Sequence, residues 1–222
     1  MGTLTLVRHG QASFGAADYD QLSELGMRQC RRLGEYFGQR RRRFQAVLRG
    51  SLRRHEQSLD ALLQGLGEAR DDVQVFPALN EYDSAAVVRA IHPDPLPPAR
   101  TPEAYREHFR LLRRGLAAWM EGHTRPEGMP SHADWVAGIA AVLDRVRTLD
   151  GEVLLVSSGG PISTAVGQVL GMPAVGTIEL NMRIRNSAIT EFAFNPRRHA
   201  LHSFNHLPHL DGAGYEDWVT YA

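Results

Sequence analysis

Thr3-Leu4-Thr5-Leu6-Val7 is a short apolar run rich in β-branched residues, and it leads directly into Arg8-His9-Gly10. The run reads as a buried strand. A second stretch has the same design: Glu152-Val153-Leu154-Leu155-Val156 breaks at Ser157-Ser158-Gly159-Gly160-Pro161, and helical spacing resumes over 162–170. In an open α/β sheet the ligand site lies beyond the carboxyl ends of the strands. Backbone N–H groups at a helix start bind anions, and glycines let the anion come close. Both strand ends therefore point to one anion pocket. Arg8 offers a planar charged fork suited to phosphate. His9 can be neutral near pH 7 and act as nucleophile or base.

Outward from these two strands, the pattern alternates. Residues 23–37 have helical spacing, with Ser23 as N-cap, Leu25, Cys30, Leu33 and Phe37 as the buried stripe, and Gly38 as the stop. Strands are predicted over 46–48 and 73–76, with a helix between them running to about residue 63. The middle, 84–150, shows helices and proline-rich joints but no strand. Pro93-Asp94-Pro95-Leu96-Pro97-Pro98 must be a loop. Thr101-Pro102 opens a helix whose face carries Tyr105, Phe109, Leu112, Leu116 and Trp119. Ser131 and Asp134 open another, continued by Ile139, Val142 and Val146. Final strands are expected over 187–194 and 202–206. The reading is one α/β domain spanning 1–222, with a central, mostly parallel sheet flanked by helices on both faces and a helical cap insertion at about 84–150.

Composition narrows the function classes. The chain has 222 residues, 43% hydrophobic and 23% charged, close to an ordinary globular protein. Its 25 basic and 25 acidic residues cancel, which argues against nucleic-acid or membrane-surface partners. All the basic residues are arginine, so Schiff-base lysine chemistry is excluded. No apolar run reaches the roughly 18 residues of a membrane span, and no signal peptide is visible. One cysteine, Cys30, permits no internal disulfide and suits a cytoplasmic location. It falls on an apolar stripe and reads as a structural thiol. Arg40-Arg41-Arg42-Arg43 reads as a solvated face. His199, His202, His206 and His209 lack cysteine companions, and no metal or other cofactor is expected. Ser157 and Ser158 lack the "G-x-S-x-G" elbow of a serine hydrolase.

Leu6-Val7-Arg8-His9-Gly10-Gln11 resembles the signature of the histidine phosphatase (phosphoglycerate mutase-like) superfamily. The likeness continues in order. Leu22-Ser23-Glu24-Leu25-Gly26-Met27-Arg28-Gln29 is similar to "L-T/S-x-x-G-x-x-Q". Gly50-Ser51-Leu52-Arg53-Arg54-His55-Glu56-Gln57-Ser58 resembles "S-x-L-x-R-A-x-x-T". Leu79-Asn80-Glu81 resembles the acidic segment, and Asn186-Ser187 and Asn205-His206 resemble later elements. The resemblance implies metal-independent, acid-type hydrolysis of a phosphorylated small molecule in two steps. His9 would become a phosphohistidine, Arg8 and Arg54 would hold the phosphoryl oxygens, and Glu81 would protonate the leaving group. Gln11, Ser13 and Gly159 would add phosphate contacts. Arg53 and Asp83 are the neighbours competing for the roles of Arg54 and Glu81, and Arg89, Arg100 and Arg106 are open as pocket residues.

Two departures stand out. The family usually reads "H-G-G" where this chain has Ser158, and that histidine donates to the phosphoryl group. Serine donates one uncharged hydrogen bond; losing a donor of this kind costs roughly 3–4 kcal/mol. A catalytically impaired phospho-ligand binder on the same pocket is therefore the rival reading. Mutase-like members read "S-x-W-N" after the first motif; Ala12-Ser13-Phe14-Gly15 lacks the asparagine, which disfavours a mutase. The sequence leaves substrate and oligomeric state open, a homodimer included.

Overall fold

A computed structural model describes residues 1–13, 20–96 and 101–221. Phe14 and Gly15, Pro97-Pro98 and Arg100, all invoked above, lie outside these residues. The strands are β1 (Gly2–Arg8), β2 (Ala46–Arg49), β3 (Gln74–Val75), β4 (Glu152–Ser157), β5 (Ile189–Asn195) and β6 (Arg198–His206). They form a six-stranded sheet in the order β3-β2-β4-β1-β5-β6. The helices are α1 (Glu24–Gln39), α2 (Arg53–Leu66), α3 (Ser84–Arg89), α4 (Pro102–Met120), α5 (His132–Arg147), α6 (Gly159–Leu170) and α7 (Ala174–Arg183). The α/β expectation holds, but the sheet is mixed. β3, β2, β4 and β1 run parallel, whereas β5 pairs antiparallel with β1 and β6. The turn at 195–198 joins β5 and β6 as a hairpin, so no crossover is needed.

Alternation along the central strands fills both faces. Leu4 and Leu6, Ala46 and Leu48, and Val153 and Leu155 face α5 and α6, meeting Ile139, Val142, Val146, Ile162 and Val166. Val7, Val47, Leu154 and Val156 face α1 and α2, meeting Leu33, Phe37, Leu59 and Leu62. Continuous apolar strands are what a doubly covered sheet requires. A separate apolar group joins α3, α4 and α7 through Val87, Leu111, Leu112, Leu116, Trp119 and Ile178.

The helix starts follow cap chemistry. Ser23, Thr101 and Ser131 each accept a backbone N–H from three residues on. Gly38 does not end α1, which reaches Gln39. The arginine run is not simply a solvated face. Arg42 is half-buried, bonded to Glu152 at 2.6 Å and Glu191 at 3.0 Å, and ties the start of β4 to β5. Among the described residues, no helix is long and apolar enough to cross a membrane.

Candidate active site

The β1–β4 register sets Arg8 beside Ser157. His9 and Ser158, the next residue on each strand, therefore leave the sheet as neighbours. β2 lies on the other side of β4 and leads into α2, which begins with Arg53-Arg54-His55. Three adjacent parallel strand ends thus bring Arg8, His9, Arg54, His55 and Ser158 to one place. All five are buried.

The arginines are anchored rather than loose. Arg8 Nη1 donates to the Ile184 carbonyl at 2.5 Å and the Tyr221 carbonyl at 2.6 Å. Arg54 Nη1 donates to Asp20 Oδ1 at 2.7 Å. Arg53 is exposed, so burial selects Arg54 as the inward-facing cation. Two fixed guanidinium groups, Arg54 being paired with Asp20, set planar donors in place for an anion.

The His9 ring is held in one tautomer. Its Nδ1 lies 2.7 Å from the Gly10 carbonyl, which can only accept, so the proton sits on Nδ1. That leaves the Nε2 lone pair bare. Burial, then Arg8, Arg54 and His55, hold the imidazole pKa well below its ordinary value, so the ring is neutral at neutral pH.

Glu81 follows a 3-10 turn at Pro77–Leu79, which Ser157 Oγ ties to β4 by donating to the Leu79 carbonyl at 2.7 Å. The Glu81 carboxylate accepts from Gly160 N at 3.1 and 3.2 Å, at the start of α6. A Cβ at position 160 would overlap Glu81 Oε1, so only glycine permits this approach. Enclosure of the carboxyl raises its pKa above the usual range, against the opposing pull of Arg54, the Gly160 N–H and Arg8. Such a carboxyl holds its proton to higher pH than an ordinary glutamate. Asp83 instead caps α3 through Ala86 N at 2.9 Å. A cavity of about 320 Å³ adjoins Glu81 and is lined also by Tyr82, Met129, Asp134 and Trp135.

Nearly the whole chain, residues 4–207, matches the profile of the histidine phosphatase superfamily (branch 1). The chain belongs to this superfamily. Among solved structures it is similar to a phosphoserine phosphatase mutant from Entamoeba histolytica in complex with phosphoserine. The identity is 18%, with 95% of this chain and 100% of that chain covered and a TM-score of 0.65. It is also similar to a mycobacterial glucosyl-3-phosphoglycerate phosphatase complexed with VO3, at 24% identity, 92% and 99% coverage and a TM-score of 0.65. These likenesses show a shared fold. A search of curated proteins finds no match.

The other predicted residues of this superfamily member lie as follows. Gln11 Oε1 accepts from Ser23 Oγ at 2.9 Å, so its side chain is turned toward the start of α1. Ser13 is half-buried and its N–H donates to the Gln21 carbonyl. Gly159 is the first residue of α6, and a Cβ there would crowd Asn181. Arg89 and Arg106 are exposed. Among the described residues, no group of three or more His, Cys, Asp or Glu side chains could hold a metal ion. Cys30 is buried and its thiol is pushed up to about 11.

Sequence reasoning assigned no role to His55, whose Nε2 lies 2.7 Å from Ser158 Oγ. A signal was there: the segment it occupies resembles one with alanine at that position. Asn186 was quoted without a role as well. Its Nδ2 donates to the His9 carbonyl at 3.3 Å, while Thr220 Oγ1 donates to its Oδ1 at 3.0 Å. The C-terminal segment is thereby fastened behind His9.

Proposed function

We propose that the protein hydrolyses phosphomonoesters without a metal, through a phosphohistidine on His9. The observation behind this reading is a neutral imidazole with a bare Nε2 in the field of two buried arginines, which also act on a carboxyl with a raised pKa. The phosphoryl group docks against Arg8 and Arg54 near the α6 start, with Ser158 as a further donor. Gln11, Ser13 and Gly159 remain candidate contacts. His9 Nε2 attacks phosphorus, the P–O bond to the alcohol breaks, and the Glu81 proton passes to the leaving oxygen. Water then gives a proton to Glu81 while its oxygen attacks phosphorus. The P–N bond breaks, and phosphate leaves with His9 neutral again.

A protonated Glu81 is needed for the first step, so activity falls as pH rises through its raised pKa. His9 stays neutral in mild acid because its own pKa is lowered. The names of the similar structures, a phosphoserine phosphatase and a glucosyl-3-phosphoglycerate phosphatase, support a phosphorylated small-molecule substrate. The helical insertion at about 84–150 is read as a lid over the leaving group, supported by the cavity that Glu81 shares with Met129 and Trp135. A cytoplasmic location completes the reading.

One observation favours the rival, a phospho-ligand binder: the family's second histidine is Ser158, an uncharged donor. The test is hydrolysis of an aryl phosphate in mildly acidic buffer with a chelator, for the protein and for His9→Ala. Turnover that disappears in His9→Ala supports the phosphatase. Phosphate binding without turnover in either protein supports the binder.

A further inference from the structure

We infer that His55 is a positioning residue for phosphoryl transfer: its ring orients the Ser158 hydroxyl toward the phosphoryl group that His9 receives. The inference rests on the phosphatase reading and adds a residue to it.

His55 Nε2 and Ser158 Oγ are 2.7 Å apart, and both residues are fully buried. The His55 ring centroid lies 5.9 Å from that of His9. Ser158 Oγ makes no other hydrogen bond among the described residues. His55 Nδ1 is buried without a hydrogen-bond partner. That asymmetry bears on the direction of the bond. A buried N–H lacking an acceptor is rarer and costlier than a bare acceptor lone pair. The tautomer with its proton on Nε2 moves the unpaired hydrogen from the ring to the Ser158 hydroxyl, where a bound phosphoryl oxygen can accept it; in that tautomer His55 donates and Ser158 Oγ accepts.

The hydroxyl hydrogen of Ser158 is then left to point elsewhere. It sits where β4 gives way to α6, beside His9 and the glycine amides, and is placed to meet a phosphoryl oxygen. No proton changes hands. His55 stays neutral, Ser158 keeps its hydrogen, and the phosphoryl oxygen gains a donor whose orientation is set in advance. Burial, then Arg54 and Arg49, lower the His55 pKa to about 3, which keeps the ring in its neutral form.

Packing holds the ring in place. A Cβ on Gly50 would overlap His55 Nδ1, so the turn after β2 closes directly on the imidazole. The departures from the superfamily pattern at positions 55 and 158 read as one. Where alanine is usual there is His55, and where histidine is usual there is Ser158. An imidazole enters from α2 instead of from the end of β4.

The test compares kcat and KM for an alkyl phosphate in the wild type, His55→Leu, His55→Gln, Ser158→Ala and the His55→Leu/Ser158→Ala double variant. Thermal melting confirms that each is folded. His55→Leu and Ser158→Ala are each expected to lower kcat about 10²-fold with little change in KM. His55→Gln should recover most of the loss, because its Nε2 can still donate to Ser158. The double variant should be no slower than either single one, because the two residues act as one unit.

A folded His55→Leu with wild-type kcat would overturn the inference while leaving a His9-dependent phosphatase intact. Equal losses in Leu and Gln variants would also overturn it. If His55→Leu does not fold, unchanged kcat in Ser158→Ala overturns it alone. A wild type without turnover removes the phosphatase reading and this inference together.

Discussion

His55 and His209 are both buried imidazoles facing a serine hydroxyl, at 2.7 Å from Ser158 and 2.9 Å from Ser187. Both pKa values are pushed down to about 3, chiefly by burial. Each has an Nδ1 without a hydrogen-bond partner. They differ in what surrounds them. His55 lies beside Arg54 and the His9 ring, at the end of three parallel strands. His209 lies on a 3-10 turn that also buries Leu210, while the adjoining Leu207 packs against Ala188. Its serine holds a left-handed backbone with φ of 56°, and Ser187 N donates to the His9 carbonyl. On the proposed mechanism, one pair faces the place where charge must be stabilised. The other pins a strained main chain behind it. Burial and a lowered pKa alone do not separate these roles; position at the strand ends does.

The widest separation between the two sides should come from Glu81, which shares the Arg54 field with His55. Glu81→Gln should lower kcat on an alkyl phosphate by about 10²–10⁴-fold. The loss should shrink on an aryl phosphate, whose leaving group needs less protonation. Equal losses on both substrates would count against Glu81 as the acid.

Next in size is the direct contrast between the pairs. His55→Leu should lower kcat by about 10²-fold. His209→Leu should lower the melting temperature while changing kcat far less. If His209→Leu matched the kcat loss of His55→Leu in a folded protein, the distinction would collapse.

Acid stability gives a smaller effect that both pairs share. A histidine held neutral in the fold adds stability above its ordinary value of 6.5, and that stability is lost as pH falls toward about 3. His55→Gln and His209→Gln should each flatten the fall in denaturation midpoint across that window. An unchanged pH profile in both would show that neither ring is held neutral by the fold.

The smallest effects belong to single hydroxyls outside the candidate site. Ser187→Ala should cost about 1 kcal/mol in urea unfolding through one lost hydrogen bond. Ser23→Ala should cost about as much through a lost helix cap. Neither should alter the pH dependence of turnover.

What was legible in the sequence was mostly local. Ser23, Thr101-Pro102 and Ser131 announce helix starts because a cap acts within three residues. The run into Arg8-His9-Gly10 announces a strand end because apolar length and a glycine break need only neighbours to be read. Strand direction is different. Nothing local in β5 or β6 says that they run antiparallel to β1. Helix α7 escaped because it follows Gly171-Met172-Pro173 closely and buries only Thr177 and Ile178. Arg42 looked solvated because its partners, Glu152 and Glu191, are more than a hundred residues away in the chain. His55 and Ser158 are separated by 103 positions, and only the β2–β4 pairing makes them one feature.

The central claim is that His9 carries the phosphoryl group. Its most direct test is to mix the protein with an aryl phosphate, quench rapidly in alkali, where phosphohistidine survives, and map the modified residue by mass spectrometry. The account predicts a phosphoryl group on His9 in the wild type, its accumulation in Glu81→Gln with the aryl substrate, and none in His9→Ala. Steady turnover with no adduct on His9, persisting in His9→Ala, would contradict it.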